Sequence, residues 1–270
     1  MSILTVKDLQ VTFKGRKKTT EILKGVSFEL QKGECLCIVG ESGSGKTMTM
    51  KSIMGLLDTN FTIKGEAFLD DINLLTASKE EMRQVRGKKM TMILQNPMVC
   101  FDKLYRIGYQ MAETFEAHTN WSKEEIYQKS IEMLKRMQLP EPDEVLKKYP
   151  HQLSGGMLQR IMIGIALALN PDILIADEPT TAIDSVTQYE IMKEFISLKE
   201  AGVTIIFITH DLGVASMISD RLIVMNKGLI VDSGTFEHIK ENANDEYTKQ
   251  LVAQKKAVVA AFKKSLGGRN

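Results

Sequence analysis

Eight residues, Gly40-Glu41-Ser42-Gly43-Ser44-Gly45-Lys46-Thr47, constrain this chain more than any others. They follow the apolar run Cys35-Leu36-Cys37-Ile38-Val39 and precede a helix-compatible stretch that begins near Lys46. The pattern is glycine, four residues, then Gly-Lys-Thr, between a strand and a helix. Glycines there let backbone N–H groups converge on phosphate oxygens that larger side chains would obstruct. The helix aims its positive dipole end at the same anion. Lys46 is placed to reach the β- and γ-phosphates, and Thr47 to bind Mg²⁺. A glycine turn with an incidental lysine is the plain alternative, and the strand–loop–helix context argues against it.

The rest of the chain alternates similar units. Thr5–Phe13 and Glu21–Leu30 alternate apolar and polar residues, as half-buried strands do, around a basic turn at Lys14–Lys18. Asp172–Asp177 and Gly202–Thr209 read as strands buried on both faces, with the amphipathic segment Ser185–Gly202 between them. Strand, helix, strand at this spacing is the crossover unit of a parallel sheet. Arg221–Thr235 reads as a hairpin turning at Asn226-Lys227-Gly228. From about 96 to 165 the pattern becomes helical, with Ser122 and Glu125 as a capping box before Ile126, Met133, Leu134 and Met137. The expected fold is therefore an α/β core with an antiparallel β region near the N-terminus and a helical insertion. Beyond about Glu237 the chain reads as helical, polar and lysine-rich.

Two further motifs carry chemistry. Asp172–Pro179 is an apolar run that ends in Asp177 and Glu178, at the carboxyl end of a strand, where ligands collect in doubly wound sheets. Asp177 suits an outer-shell Mg²⁺ contact, and Glu178 suits polarisation of an attacking water. Leu153–Arg160 reads LSGGMLQR: Ser154 can cap the following helix, while Gly155 and Gly156 leave its first N–H groups open to an anion. With one complete phosphate loop already present, that second anion site needs an explanation.

Composition narrows the function classes. The 270 residues carry 35 Lys+Arg against 34 Asp+Glu, a net charge of +1, which argues against a polybasic nucleic-acid binder. The longest apolar run, Ile161–Leu169, falls far short of the roughly 20 residues that span a bilayer. The start MSILTVKDLQ lacks the n-region and h-region of a signal peptide. Three cysteines, Cys35, Cys37 and Cys100, are too few for a disulfide scaffold. A soluble intracellular protein is expected. Sixteen methionines sit mostly at helical spacing or in apolar runs, where they fill core. The Cys35-x-Cys37 pair has no histidine beside it and reads as core rather than metal site.

A phosphate loop, then LSGG, then an apolar strand ending in Asp-Glu, then a histidine after the next strand, resembles the ATP-binding cassette (ABC) ATPases over about residues 3–252. The fold implied is the P-loop NTPase cassette, with a helical subdomain at about 96–165 inside a domain at 1–252 and a lysine-rich tail at 253–270. The resemblance implies ATP and Mg²⁺ as ligands, with an ATP-binding set of Phe13, Gly40, Glu41, Ser42, Gly43, Ser44, Gly45, Lys46, Thr47, Met48 and Asp177. Phe13 matches the aromatic that stacks on adenine, although a lone strand aromatic more often packs in core. Catalytic roles fall on Glu178, on His210 as the γ-phosphate switch, and on Gln95, which senses Mg²⁺ and the attacking water. Mg²⁺ would be held by Thr47, Gln95 and Asp177. In this family two cassettes close head to tail, so Ser154, Gly155, Gly156 and Gln159, with Asp184, would act on the nucleotide held by the other subunit. Ile183 stands where the family more often has leucine.

The resemblance also implies partners: a second ATPase subunit, in a heterodimer or a homodimer, two transmembrane permease subunits and an extracellular substrate-binding protein, with no nucleic acid. The chain would lie peripherally on the cytoplasmic face of the cell membrane and meet the permease through Met98–Arg106. Within the family the segments around LSGG and Asp177-Glu178 look like the importers of peptides, nickel and metal chelates. ILQNPMVCFD, MLQR and an abbreviated, cysteine-free C-terminus point to nickel or metal-metallophore cargo, with oligopeptides as the alternative. Lys255, Lys256, Lys263 and Lys264 could meet lipid headgroups, but a solvated helix face is the simpler reading. Two rivals, a soluble DNA-repair or translation ATPase and a non-hydrolysing regulatory cassette, sit poorly with one cassette of neutral charge and an intact Lys46, Asp177, Glu178 and His210.

Overall fold

Apolar runs with no polar face become strands covered on both sides, and the computed structural model buries every residue of Cys35–Val39, Ile173–Asp177 and Thr204–Thr209. It describes residues 1–16, 18–180 and 185–254, so Lys17, Ile183, Asp184 and the lysine-rich end lie outside the described residues. In chain order the elements are β1 (Ser2–Lys14), β2 (Thr19–Gln31), β3 (Cys35–Val39), α1 (Lys46–Ile53), β4 (Phe61–Leu69), β5 (Ile72–Asn73), α2 (Lys79–Val85) and β6 (Met90–Ile93). They continue with α3 (Ile107–His118), α4 (Lys123–Arg136), α5 (Pro142–Lys147), α6 (Gly155–Ala168), β7 (Ile173–Asp177) and α7 (Ser185–Glu200). The last are β8 (Thr204–Thr209), α8 (Leu212–Ile218), β9 (Arg221–Asn226), β10 (Leu229–Gly234) and α9 (Phe236–Asn242). Residues 246–254 are helical. The chain divides into two compact units, one of 1–78 with 202–270 and one of 79–201.

The first unit holds two layers of strands. In one, β1 pairs antiparallel with β2 and with β4, and β5 closes on β4. The alternation in β1 breaks between Val6 and Leu9, one of four places where its register with β2 shifts: Asp8 takes a φ of 47° there, so both Val6 and Leu9 stay buried. That bulge bends a strand that alternation alone would make straight. In the other layer β3 lies between β8 and β9, parallel to both, and β10 returns antiparallel to β9. Ile38, Phe207, Ile208, Leu222 and Val224 fill this core. Cys35 and Cys37 are buried in it as well.

The β9–β10 hairpin turns on Lys227 and Gly228, with φ of 47° and 82°, the pair of positive angles that a two-residue hairpin loop matched to strand twist requires. Gly228 is also a junction. Its N–H donates to Ser44 O at 2.9 Å, and its carbonyl accepts from Lys24 N at 3.0 Å. A Cβ there would come 2.2 Å from Ile22 O.

In the second unit β6 and β7 run parallel, with Ile93 opposite Ala176. The helices α3 to α6 occupy 107–168. The capping box of α4 forms as its sequence implies: Ser122 Oγ accepts from Glu125 N, and Glu125 Oε2 accepts from Ser122 N. The Ser122 N–H, and after it the Ser122 hydroxyl, donate to the Glu125 carboxylate and lower its pKa. Met111, Met133 and Met137 are buried, in keeping with methionine as core filler. Among the described residues no helix is long and apolar enough to cross a membrane.

Gly228→Ala should destabilise the protein by about 1–3 kcal/mol, because the left-handed angle is strained for alanine before its Cβ meets Ile22. Urea unfolding followed by circular dichroism checks it. Lys227→Ala, with its side chain in solvent, should cost less.

Candidate active site

The buried strand β3 delivers the chain to Gly40, and α1 starts at Lys46. Between them Gly45 occupies the helix N-cap position with a φ of 109°, and its lack of a side chain leaves no cap of its own over the start of α1. Another residue type would be strained there, and its Cβ would come 2.6 Å from Leu23. Gly40 is closed in differently: its Cβ would lie 2.2 Å from Met225 O. The Lys46 ammonium is buried and donates to Gly40 O at 2.8 Å and Glu41 O at 3.0 Å. Ser44 Oγ is buried with no hydrogen-bond partner. Glu41, Ser42 and Gly43 face solvent, while Thr47 and Met48 are half-buried in the first turn of α1. A ring of inward backbone around a buried ammonium and an orphaned hydroxyl fits an anionic group of phosphate size.

Two residues that the sequence reading passed over brace this loop. Ser44 O accepts the Gly228 N–H, and Glu41 N–H donates to Tyr247 Oη at 2.8 Å. Asn-Lys-Gly announced the hairpin turn but not that it would rest on the loop. Nothing in the local pattern around Tyr247 announces its partner.

In the second unit the parallel register brings the acidic motif to Gln95. With Ile93 opposite Ala176, residues two further on emerge side by side at the carboxyl ends of β6 and β7. Gln95 Nε2 donates to Glu178 Oε2 at 3.0 Å. Asp177 is 3 % exposed, whereas Glu178 is half-buried and Gln95 faces solvent. Glu178 takes a φ of 48°, a left-handed conformation that costs a side-chain-bearing residue about 1–3 kcal/mol. Here the strain turns the carboxylate back toward the end of β6, where Gln95 holds it.

Ser154 caps α6, its Oγ accepting from Met157 N at 3.2 Å. Ser154 and Gly155 are exposed and Gly156 is half-buried. Gln159 differs from them. It is 1 % exposed, and neither atom of its amide has a hydrogen-bond partner. His210 is exposed just past β8, followed by Asp211, which caps α8 by accepting from Gly213 N at 2.6 Å. Asp184 lies outside the described residues. Phe13 is half-buried on β1 and directly opposite Phe61 on β4, with ring centroids 5.1 Å apart. The aromatic surface is therefore a pair of rings, and Phe61 was legible only once β4 was known to pair with β1.

The donors that the motifs supply for a cation are a hydroxyl, a carboxylate and an amide, all oxygen ligands, which suits Mg²⁺. Comparison with known proteins agrees with the phosphate loop and its companions. The family model described as ABC transporter matches residues 23–181. The metal-staphylopine import system ATP-binding protein CntD of Staphylococcus aureus is 42% identical over 269 residues, covering 99% of this chain and 98% of that protein. The oligopeptide transport ATP-binding protein OppD of Bacillus subtilis is 42% identical over 254 residues, covering 93% of this chain and 71% of that protein. Among solved structures, the dimeric ATP-binding cassette MJ0796 bound to ADP and Pi superposes with a TM-score of 0.76 at 31% identity, over 86% of this chain and 98% of that one. The chain belongs to the ABC transporter family and is one of its nucleotide-using ATPases.

Proposed function

We propose that this chain is the ATPase subunit of an importer of metal chelates, and that the residues built around Lys46 and Glu178 perform the hydrolysis. The buried Lys46 ammonium inside an inward-facing glycine loop is the observation that carries the reading. The β- and γ-phosphates become partners of Lys46 alongside the Gly40 carbonyl, while backbone N–H groups from Gly43 to Met48 hold the remaining oxygens. Phe13 and Phe61 give adenine a stacking surface. Thr47, Asp177 and Gln95 would hold Mg²⁺, which when bound neutralises charge on the phosphates. Gln95 fixes one oxygen of the Glu178 carboxylate, and the other orients and polarises the attacking water. His210 contacts the γ-phosphate from the end of β8.

The exposed Ser154 and Gly155 and the half-buried Gly156, at the start of α6, serve a second ATPase subunit, and Asp184 is assigned to the same composite site by its motif. Their open N–H groups would close on a γ-phosphate held by the partner's loop. The cassette solved as a dimer with ADP and Pi supports this arrangement. The buried Gln159 amide does not share that exposure, and we leave it out of the composite site. The two subunits work beneath two permease subunits on the cytoplasmic side of the membrane, fed by an extracellular substrate-binding protein. Their docking surface is Met98–Arg106 with Tyr109. Val99 and Leu104 are 73% and 80% exposed, and Tyr105 stacks on Tyr109 with centroids 5.0 Å apart. Gln110 pins the loop by accepting from Asp102 N and donating to Asp102 O and Tyr105 O. Apolar side chains held rigidly in water suit a protein partner.

For the cargo, the likeness to the metal-staphylopine subunit supports a metal chelate, together with the ILQNP and MLQR variants. Equal identity to the oligopeptide subunit keeps peptides as the second reading. Uptake of labelled nickel or cobalt metallophore by the reconstituted transporter is the expected result, and stimulation by peptides alone would reverse the choice.

Lys46→Ala should abolish nucleotide binding and turnover, measured by calorimetry and phosphate release. Glu178→Gln keeps the shape of the side chain and removes the base. ATP should still bind while hydrolysis falls about 10²–10⁴-fold. The slowed protein should accumulate as an ATP-bridged dimer on size-exclusion chromatography, alone or with its cognate partner ATPase. Adding Ser154→Ala should weaken that dimer; if it leaves the dimer intact, the composite site is wrong. Leu104→Glu should reduce co-purification with the permease without lowering the yield of folded subunit.

A further inference from the structure

The peptide group joining Gly40 to Glu41 is held at both ends. Its carbonyl accepts from the Lys46 ammonium at 2.8 Å. Its N–H donates to Tyr247 Oη at 2.8 Å, from a side chain 206 positions downstream. We propose that Tyr247 is a positioning residue for the phosphate loop: its hydroxyl fixes the Gly40–Glu41 peptide and, through that peptide's carbonyl, the Lys46 ammonium. The inference rests on the reading of this loop as the nucleotide site.

The segment that carries Tyr247 is itself anchored. Asp232 on β10 is buried, and its Oδ2 accepts from both Asn244 N and Asp245 N at 3.1 Å. Asp245 Oδ1 in turn accepts from Tyr247 N at 2.9 Å. Thr248, the next residue, is fully buried. The phenol is therefore delivered by a fixed backbone and not by a loose end. Burial pushes its pKa up, so the hydroxyl stays neutral.

Accepting the N–H draws electron density through the peptide group and makes its carbonyl a better acceptor for Lys46, since bonds in series polarise one another. It also blocks rotation of that peptide. Glycine at position 40 leaves the peptide free to turn unless something outside the loop holds it. Ser44 is fixed by Gly228 on the far side of the loop, so Tyr247 supplies the hold on its near side. A change that shifts 244–251 would loosen the loop through this one bond.

The test uses the full-length chain and ADP with Mg²⁺ as the probe. Wild-type binding, and its loss in Lys46→Ala, checks the nucleotide reading by itself. Tyr247→Phe removes only the hydroxyl and should raise the ADP dissociation constant about five-fold, the worth of one neutral hydrogen bond. In turnover assays the change should fall on KM for ATP and leave kcat within about two-fold, as loss of uniform binding does. Glu41→Pro removes the donor instead, and Tyr247→Phe should add nothing in that background. Amide hydrogen exchange across residues 40–46 should quicken in Tyr247→Phe. An unchanged dissociation constant, unchanged exchange, or a five-fold loss that persists in Glu41→Pro would each overturn the proposal. A lower melting temperature with normal affinity would mark Tyr247 as structural only and overturn it as well.

Discussion

Backbone directed at a buried charge is the constraint on which the first unit depends. Lys46 is an ammonium at 5 % exposure, and the peptide carbonyls of Gly40 and Glu41 are among the groups that hold it. An isolated buried cation is costly, so the loop must present acceptors inward and keep them there. That requirement fixes its neighbours. β3 must end beneath it, Gly45 must turn left-handed so that α1 can begin, and Gly228 must reach Ser44 with its N–H. Phosphate oxygens offer Lys46 stronger, charge-assisted partners than carbonyls do, so the arrangement that tolerates the charge is also the one that recognises the ligand.

The second unit solves a different problem by register. A carboxylate proposed as a catalytic base is more effective when it is held in one orientation. Glu178 is held twice, by a left-handed backbone and by the Gln95 amide. Parallel pairing of β6 with β7 supplies both ends at the same level, so two residues separated by 83 positions meet.

Much of this was legible in sequence because the motifs fall where strand turns into helix or loop, and such transitions leave local marks. Lys46, Glu178, the Ser122–Glu125 box and the Asn226-Lys227-Gly228 turn are all of that kind. Misreadings and omissions come from pairing between distant segments. The bulge at Asp8 shows in sequence only as the pair Lys7-Asp8 between Val6 and Leu9, a break in alternation that one strand alone does not assign to a bulge. Phe61 was invisible without β4 opposite β1. Gln159 belongs to a recognised motif, yet its amide is buried, since helix position decides which way a side chain faces and the motif alone does not. Tyr247 depends on a contact spanning 206 residues, for which no local pattern exists.

Some of the structure's costs fall at these same places. Among the described residues, the buried side chains with unpartnered polar atoms are Ser44, Gln159, Ser219 and Thr248. Ser44 lies in the phosphate loop, Gln159 in the LSGG helix, and Thr248 beside the tyrosine that braces the loop. Glu178 adds backbone strain at the acidic motif. A fold optimised for stability alone would satisfy or remove such groups, so at Ser44, Gln159 and Glu178 stability has been given up inside the motifs. The compensation comes from strands such as β3 and β8, in which every residue is buried, and they are the elements that end beneath the loop and beneath His210. The rigid core and the strained site are therefore consecutive stretches of one backbone, which is how the core can enforce angles that the site alone would relax.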